Sequence, residues 1–324
     1  MSLQERIQPG ILKPVPLVAR SLTFRIWEID QVRTSLARLA SEFCSDADVV
    51  GIGEPCVLAM GASLHGLRTF PAMSGPGCAI PSTQDALWIR LCGSDRGVVF
   101  DSARRVRQLL AAAFRVSGAL DTFTYQGGRD LTRFEDGTEN PKGDAALEAA
   151  IVQTGPIAGS SFVAVQQWVH DLERFEAMSD TARDHVMGRS AENNDELDDA
   201  PASAHVKRTA QESFEPAAFM LRRSMPWAGV DREGLEFVSY VASLDAFTRM
   251  MRRMAGHEDG IRDALFSFSH PVTGGFYWCP PVTNGRLDLG VLLDAISMDR
   301  QQEDRRRPLR SKSGSSGSSS GLKA

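Results

Sequence analysis

The stretch Leu22-Thr23-Phe24-Arg25-Ile26-Trp27 places apolar side chains at every second position, with Leu22, Phe24 and Ile26 on one face. This alternation predicts a half-buried β-strand. A stripe with helical spacing follows, formed by Val32, Leu36, Leu39 and Phe43. The elements expected next are strands over residues 56–60 and 87–92, a helix starting at Ser102, and a strand over residues 122–125. The first part of the chain therefore predicts a β-α-β-β-α-β unit.

The same order of elements recurs after Pro141. The elements expected there are strands over residues 162–167, 217–221, 235–241 and 275–278, helices beginning at Trp168, Ser179 and Asp245, and helix ends at Gly188 and Gly256. The repeat predicts an α+β fold of two ferredoxin-like (β-α-β-β-α-β) modules, of the dimeric α+β barrel type. The predicted domains are an N-terminal module over residues 1–145, a C-terminal module over residues 146–300, and a flexible Ser/Gly-rich tail over residues 301–324.

Composition narrows the class of protein. The chain has 324 residues, of which 42% are hydrophobic and 24% are charged, so it can build ordinary packed cores. A net charge of -5 gives no reason to expect nucleic-acid binding. The sequence shows neither a secretory signal nor an apolar run long enough to span a membrane. Its five cysteines are scattered without metal-type spacing, which fits free thiols in a reducing cytoplasm.

Three segments contain side chains that could act together. Phe134-Glu135-Asp136-Gly137-Thr138-Glu139-Asn140-Pro141 supplies a carboxylate, and Leu221-Arg222-Arg223-Ser224 supplies guanidinium groups. His205-Val206-Lys207-Arg208-Thr209 supplies an imidazole, within a connection that is long enough to suggest a functional loop. An imidazole, a carboxylate and a guanidinium are the groups from which a haem peroxidase site could be built.

The three segments resemble those of the dye-decolourising peroxidases, in particular the B-type bacterial haem peroxidases. The resemblance extends from Gln8 to about Met298. The pattern Phe134-x-Asp136-Gly137-x-x-Asn140-Pro141 is quite specific, and its ordered combination with His205 and Arg222 is more specific still. One departure is Arg133, which stands where the family usually has glycine and therefore bears on the geometry of the local turn. The resemblance agrees with the predicted fold, because the family fold is a pair of ferredoxin-like modules with haem held mainly by the C-terminal one.

The resemblance also implies a role for each matched residue. His205 would be the axial ligand of the iron of haem b, which leaves one coordination position open for the oxidant. Asp136 would move the peroxide proton, and Arg222 would hold peroxide and stabilise negative charge. An aspartate stays ionised in mild acid, since its reference pKa is about 3.9 against about 6.5 for histidine, so we expect an acidic activity optimum.

Neighbouring residues have secondary expectations. Arg223 is a rival to Arg222, but alternate strand residues point to opposite faces, so Ser224 would join the pocket with Arg222. Arg208 is a candidate for binding the haem propionates, as is the adjacent Lys207. The acceptor for the second N–H of the axial histidine is left open among Asp245, Asp263 and other carboxylates of the C-terminal half.

The expected activity is the reduction of hydrogen peroxide with oxidation of small organic reductants such as dyes and phenolics. The alternatives are a porphyrinogen oxidase or haem-iron release activity, and a haem storage or delivery protein. The expected partners are a second copy of the chain in a homo-oligomer and an encapsulin shell. The end of the tail, Ser320-Gly321-Leu322-Lys323-Ala324, loosely resembles an encapsulin cargo peptide, and the alternative is an unstructured terminus. The protein is expected in the cytoplasm, inside an encapsulin nanocompartment if the tail docks to a shell.

Overall fold

The computed structural model describes residues 2–42 and 46–293. The helices of the first half are α1 (Pro9–Leu12), α2 (Val32–Glu42), α3 (Glu54–Ala59) and α4 (Arg96–Leu110), with single 3-10 turns at Gln4–Arg6 and Ile29–Gln31. Its strands are β1 (Val18–Ile26), β2 (Val49–Ile52), β3 (Met73–Gly75), β4 (Cys78–Ile80), β5 (Leu87–Gly93) and β6 (Phe114–Phe123).

The second half repeats this mixture of helices and strands. Its helices are α5 (Asp144–Ala150), α6 (Leu172–Glu176), α7 (Asp180–Met187), α8 (His205–Arg208) and α9 (Leu244–Met254), with 3-10 turns at Gln211–Ser213 and Ala264–Ser267. Its strands are β7 (Ser161–His170), β8 (Leu221–Arg222), β9 (Met225–Ala228), β10 (Glu233–Val241), β11 (Ser269–Pro271), β12 (Gly275–Cys279), β13 (Val282–Thr283) and β14 (Arg286–Leu287).

The sheet contains the same antiparallel arrangement twice. The first half has the strand order β6-β1-β5-β2, and the second half has β12-β7-β10-β8. In both sets the first strand in sequence lies inside the sheet, between the last strand and the third, as in a ferredoxin-like fold. Strands β2 and β12 join the two sets through the pair Trp278 and Ile52. The predicted α+β fold with ferredoxin-like organisation is confirmed.

Apolar residues form two separate core clusters, one on each face of the sheet. Leu22 and Phe24 of β1 belong to the larger core cluster, together with Leu36 of α2 and Val106 of α4. The opposite face has a second cluster with large aromatic members. Those members are Trp88, Tyr240 and Tyr277. Helices α2 and α4 therefore cover one face, while α1 and α5 contribute Ile11, Ala146 and Ala150 to the cluster on the other face.

Some predicted elements differ from the structure. Residues 56–60 were expected to form a strand, but they lie in and just after α3, with Pro55 in the first helical turn where its missing N–H costs nothing. Trp168 was expected to begin a helix and instead lies in β7. The helix caps expected at Ser102 and Asp245 are Asp95 and Ser243. The limits of α7 are as predicted, with Ser179 as the N-cap and Gly188 in the left-handed conformation at the C-terminal end.

Three further predictions concern the connection after α7, the C-terminal tail and membrane-spanning helices. The connection between Gly188 and Gln211 contains the single short helix α8, whose first residue is His205. The tail over residues 301–324, with its expected cargo peptide, lies outside the described residues. Within residues 2–42 and 46–293, no helix combines the length and apolar character that crossing a bilayer would require.

Candidate active site

One cavity brings together the three segments singled out in the sequence. His205, Asp136 and Arg222 all line it, and its volume is about 260 Å³. Its apolar walls come from β10 and from α9. These wall residues are Leu235, Phe237, Phe247, Met250, Met251 and Met254. A large apolar cavity with a few polar groups in its lining is the type of site that a flat macrocycle with a central metal would require.

A buried carboxylate fixes the orientation of the His205 ring. Its Nδ1 lies 2.8 Å from Oδ2 of Asp263, a residue with no exposed surface. The other carboxylate oxygen of Asp263 accepts a hydrogen bond from Leu265 N, so the carboxylate itself is held in place. Asp245, the alternative considered from the sequence, instead pairs with Arg68 at the surface. With Nδ1 engaged, the Nε2 atom of His205 is the nitrogen left for a metal.

Asp136 lies in a turn that requires two residues in the left-handed conformation. Gly137 has φ of 76°, and Arg133 has φ of 72° although it has a side chain. Arg133 therefore keeps the backbone geometry that a glycine would adopt, at a cost of about 1–2 kcal/mol. The carboxylate of Asp136 makes no hydrogen bond or ion pair with the described residues, and it lines the cavity. It is available for proton transfer.

Asn140 joins the Asp136 turn to the strand of Arg222. Its Oδ1 accepts a hydrogen bond from Arg222 N at 2.8 Å, and its Nδ2 donates to Arg222 O at 3.0 Å. The side-chain amide thus pairs with the backbone of β8 as a neighbouring strand would. Arg222 faces the cavity, whereas Arg223 lies on the other side of the strand and donates to the carbonyl oxygens of Lys13 and Leu12.

Gln211 connects the histidine segment to the same assembly. This buried side chain donates to Glu139 O and accepts from Met220 N, each at 2.9 Å. It therefore links the segment after α8 to both the Asp136 turn and the approach to β8. Sequence reasoning missed Gln211, because a glutamine in a polar loop has no periodic or motif signal that marks it as buried.

Two residues predicted to bind the cofactor lie elsewhere. Arg208 is 5% exposed and forms a two-pronged ion pair with Asp259, at 2.7 and 2.9 Å, so it does not line the cavity. Ser224 also does not line it, because its Oγ accepts a hydrogen bond from Val238 N of β10. The adjacent Lys207 pairs with Glu196 near the surface. The expectations for Arg208 and Ser224 are therefore corrected.

The structure supplies a different cation at the cavity wall. Arg189 lines the cavity, and its guanidinium donates to Glu139 Oε1 at 2.7 Å and to Asn194 O at 3.0 Å. Its sequence position, just after the end of α7, shows no feature that distinguishes it from other surface arginines. It is the residue to consider where an acidic edge of a ligand would need a positive charge.

Unpartnered polar atoms test whether the cavity fits a polar-edged ligand. Arg222 Nε and Gln166 Nε2 are buried and have no hydrogen-bond partner among the described residues, and both residues line the cavity. Such atoms cost free energy unless a ligand or water satisfies them. The residue types that line the cavity therefore fit a porphyrin with an oxidant beside it: an imidazole, a carboxylate, a guanidinium and apolar walls.

A second buried cluster lines the same cavity. His170 Nε2 lies 3.3 Å from Asp130 Oδ1, and His170 Nδ1 lies 2.7 Å from Ser269 Oγ. Asp130 also accepts hydrogen bonds from the backbone N–H and the hydroxyl of Thr132. Burial raises the pKa of Asp130, but the hydrogen bonds from His170 and Thr132 outweigh it and hold the pKa below its ordinary value. This carboxylate is therefore held in its ionised form.

Comparisons with known proteins show which family the chain resembles. The family model described as Dyp-type peroxidase, C-terminal, matches residues 127–284. A dye-decolorizing peroxidase from Rhodococcus erythropolis is 34% identical over 72% of this chain and 72% of its own length. A second, from Mycolicibacterium paratuberculosis, is 32% identical over 67% of this chain but only 63% of its own length, slightly less than two thirds. Among solved structures, a DypB variant from Rhodococcus jostii RHA1 in complex with heme is 26% identical, with a TM-score of 0.78 over 84% of this chain and 95% of the other.

The fold and the cavity together define an α+β protein with a histidine, aspartate and arginine site. The chain belongs to the dye-decolourising peroxidase family, whose members are peroxidase enzymes. The family and the enzyme class predicted from the sequence are confirmed.

The first prediction concerns the carboxylate behind His205. Asp263→Asn should lower the rate of reaction with peroxide by about 10–100-fold. A neutral amide increases the electron donation of the imidazole less than a carboxylate does, and it holds the ring less firmly. The matched control is Asp245→Asn, since Asp245 pairs with Arg68 at the surface. Stopped-flow rates on haem-loaded protein measure the effect. Equal losses in the two variants would contradict the assignment.

The second prediction concerns the left-handed residue of the Asp136 turn. Arg133→Gly should raise the free energy of unfolding by about 0.5–1 kcal/mol, because glycine removes the left-handed penalty while losing more backbone entropy. Urea denaturation measures the change. Gly137→Ala is the opposite test and should destabilise the protein, since a Cβ there would lie 2.7 Å from Asn140 Nδ2. If the Arg133→Gly protein is no more stable than wild type, the left-handed conformation of Arg133 does not carry the expected cost.

The third prediction follows from the lowered pKa of Asp130. A carboxylate whose folded pKa lies below its unfolded value stabilises the protein above the unfolded value, about 3.9, and this contribution is lost as pH falls through the folded pKa. Asp130→Asn should therefore be less stable than wild type at pH 6, and the difference should shrink as the pH falls toward 3. Urea midpoints measured across this range test it; a constant difference would count against the linkage.

Proposed function

We propose that this protein is a haem b peroxidase that reduces hydrogen peroxide and oxidises organic electron donors such as dyes and phenolics. The observation that carries the proposal is the convergence of His205, Asp136 and Arg222 on one cavity with apolar walls. Relatives named as dye-decolorizing peroxidases, and a similar protein in complex with heme, support the choice of cofactor and substrate class.

Bound haem would supply the redox chemistry, and the protein would supply orientation and electrostatics. His205 would hold the iron through Nε2, because Asp263 engages Nδ1 at 2.8 Å. The Asp263 carboxylate fixes the ring orientation and increases the electron donation of the imidazole. The methionine side chains of α9 and the apolar residues of β10 would exclude water from the faces of the macrocycle.

Asp136 and Arg222 would act on peroxide from the other side. The carboxylate of Asp136 is free of hydrogen bonds within the described chain, so it can accept a proton from one peroxide oxygen and return it to the other, which leaves as water. The guanidinium of Arg222 would stabilise the negative charge that develops as the O–O bond breaks. Asn140 holds both residues in register, since it belongs to the Asp136 turn and pairs with the Arg222 backbone.

The setting of the reaction is also a proposal. The scattered cysteines support a cytoplasmic protein, and the family resemblance supports a homo-oligomer. The tail sequence supports docking to an encapsulin shell. The small organic reductants would be present in the same compartment as the protein.

The fourth prediction tests the function directly. Protein expressed with ample haem should show a Soret band that His205→Ala loses, and should react rapidly with hydrogen peroxide in stopped flow. Asp136→Ala and Arg222→Leu should each keep the band but slow the reaction by about 10²–10³-fold. Arg223→Leu is the matched control, because that side chain lies on the other side of the strand, and its loss should be much smaller.

The outcomes separate the alternatives. Equal losses for Arg222→Leu and Arg223→Leu would defeat the assignment of the arginine. A haem complex that bleaches with peroxide and shows no turnover of dyes or phenolics would favour haem storage or delivery. Oxidation of porphyrinogens, or release of iron from haem, in the absence of dye oxidation would favour those activities instead.

A further inference from the structure

A second cavity lies behind the strand of Arg222, on the side away from the active site. It has a volume of about 170 Å³ and lies between the segment after α1, strand β5 and strand β10. Its polar lining consists of Lys13, Arg90, Cys92, Arg223 and Tyr240. Three of these side chains are cationic, and no aspartate or glutamate is among the residues that line the cavity.

Arg90 is the most unusual of these residues, because its charged side chain is buried. Burial opposes the charge, but Cys92, Glu236 and Tyr240 raise the pKa of Arg90. The side chain is 2% exposed, and its Nη1 donates to Arg223 O at 2.6 Å. Its Nε and Nη2 are buried and have no partner among the described residues. An arginine cannot become neutral in a protein, so a buried guanidinium with unsatisfied donors is strongly destabilising unless an anion or polar ligand meets it.

The buried carboxyl of Glu236 does not satisfy the two unpartnered nitrogens of Arg90. Glu236 on β10 is 2% exposed, yet it forms no ion pair with Arg90 within the described chain, and its Oε2 also lacks a partner. Burial raises the pKa of Glu236, although Arg90 opposes the shift, and this favours the neutral acid. Glu236 does not line the cavity, so the cavity itself has a positive wall.

The second arginine strengthens the positive character of the cavity. Burial lowers the pKa of Arg223, and while Tyr240 opposes this, the nearby charge of Arg90 lowers it further. Two arginines that repel one another at a shared cavity are stabilised by a bound negative charge. The exposed Lys13 adds a third positive charge to the same wall, from the side that is open to solvent.

We propose that this cavity is a binding site for a small oxyanion such as phosphate, sulfate or a carboxylate, held by Arg90, Arg223 and Lys13. The donors Nε and Nη2 of Arg90 form one edge of a guanidinium, which matches two oxygens of an oxyanion in a two-pronged hydrogen bond. Lys13 contributes a point charge at the entrance.

The site is mechanically connected to the active site through the backbone of one strand. Arg223 Nη1 donates to Arg222 O, and Arg90 Nη1 donates to Arg223 O. An anion that draws these two guanidinium groups into the cavity would therefore shift their hydrogen bonds to the backbone of Arg222 and Arg223. Arg222 is the residue whose side chain is proposed to act on peroxide. This effect on the reaction rests on the proposed function, whereas the binding itself does not.

The fifth prediction is saturable phosphate binding to the full-length haem-loaded protein, measured by titration calorimetry in a phosphate-free buffer with ionic strength held constant by sodium chloride. Lys13→Met and Arg223→Leu should each weaken the affinity about tenfold or more, since a hydrogen bond to a charged group contributes roughly that factor. Arg222→Leu is the matched control and should bind phosphate as wild type does, because it lies on the other face of the strand.

Arg90→Met should abolish binding, and Lys13→Met keeps the test decisive if the Arg90 variant does not fold. Absence of saturable binding to wild type would overturn the proposal, and so would binding that Arg222→Leu loses and Lys13→Met keeps, since that pattern places phosphate in the peroxidase cavity. Sulfate or acetate that binds with the same variant dependence would support the oxyanion class. Failure here would leave the Soret band and the peroxide reaction of wild type intact, so the two proposals can fail separately.

Discussion

The side-chain amide of Asn140 is the contact on which the candidate active site depends. It makes two hydrogen bonds to the backbone of Arg222, and so it replaces a missing strand beside β8. Asp136 and Arg222 are far apart in sequence, and this pairing sets their separation without any contact between their own side chains. Gln211 extends the same device to the histidine segment through Glu139 and Met220. Three loops that could move independently are thereby held as one unit by amide groups.

The two faces of one short strand separate two kinds of chemistry. Arg222 points into a cavity with apolar walls and a free carboxylate, whereas Arg223 points into a smaller cavity with Arg90 and Lys13. Both cavities contain arginine nitrogens without partners, namely Arg222 Nε in one and Arg90 Nε and Nη2 in the other. Because a charged donor is costly to bury unsatisfied, each face is organised to receive a ligand rather than to be packed closed.

Several elements show how far sequence patterns reach. The alternation around β1 and the cap and glycine signals of α7 were interpreted correctly, because these depend on a few adjacent residues. The segment at residues 56–60 was assigned to a strand from its apolar character, but Pro55 and Glu54 begin a helix there. Trp168 was assigned to a helix, but pairing with β10 and β11 extends β7 through it. A short apolar run does not distinguish the two states, and partners distant in sequence decide between them.

The sequence alone determined the set of chemical groups: one histidine in a long loop, an aspartate in a turn motif and an arginine in a short strand. It also determined the family, because residue types at fixed spacings are a property of the chain. Only the tertiary structure decided that Asp263 supports His205 while Asp245 faces solvent, that Asp259 takes Arg208 away from the cavity, and that Ser224 bonds to β10. It also showed that Arg133 keeps a left-handed backbone without glycine. These outcomes depend on which charged and polar groups meet across the fold, and hydrogen bonds and ion pairs between distant residues leave no periodic trace in the sequence.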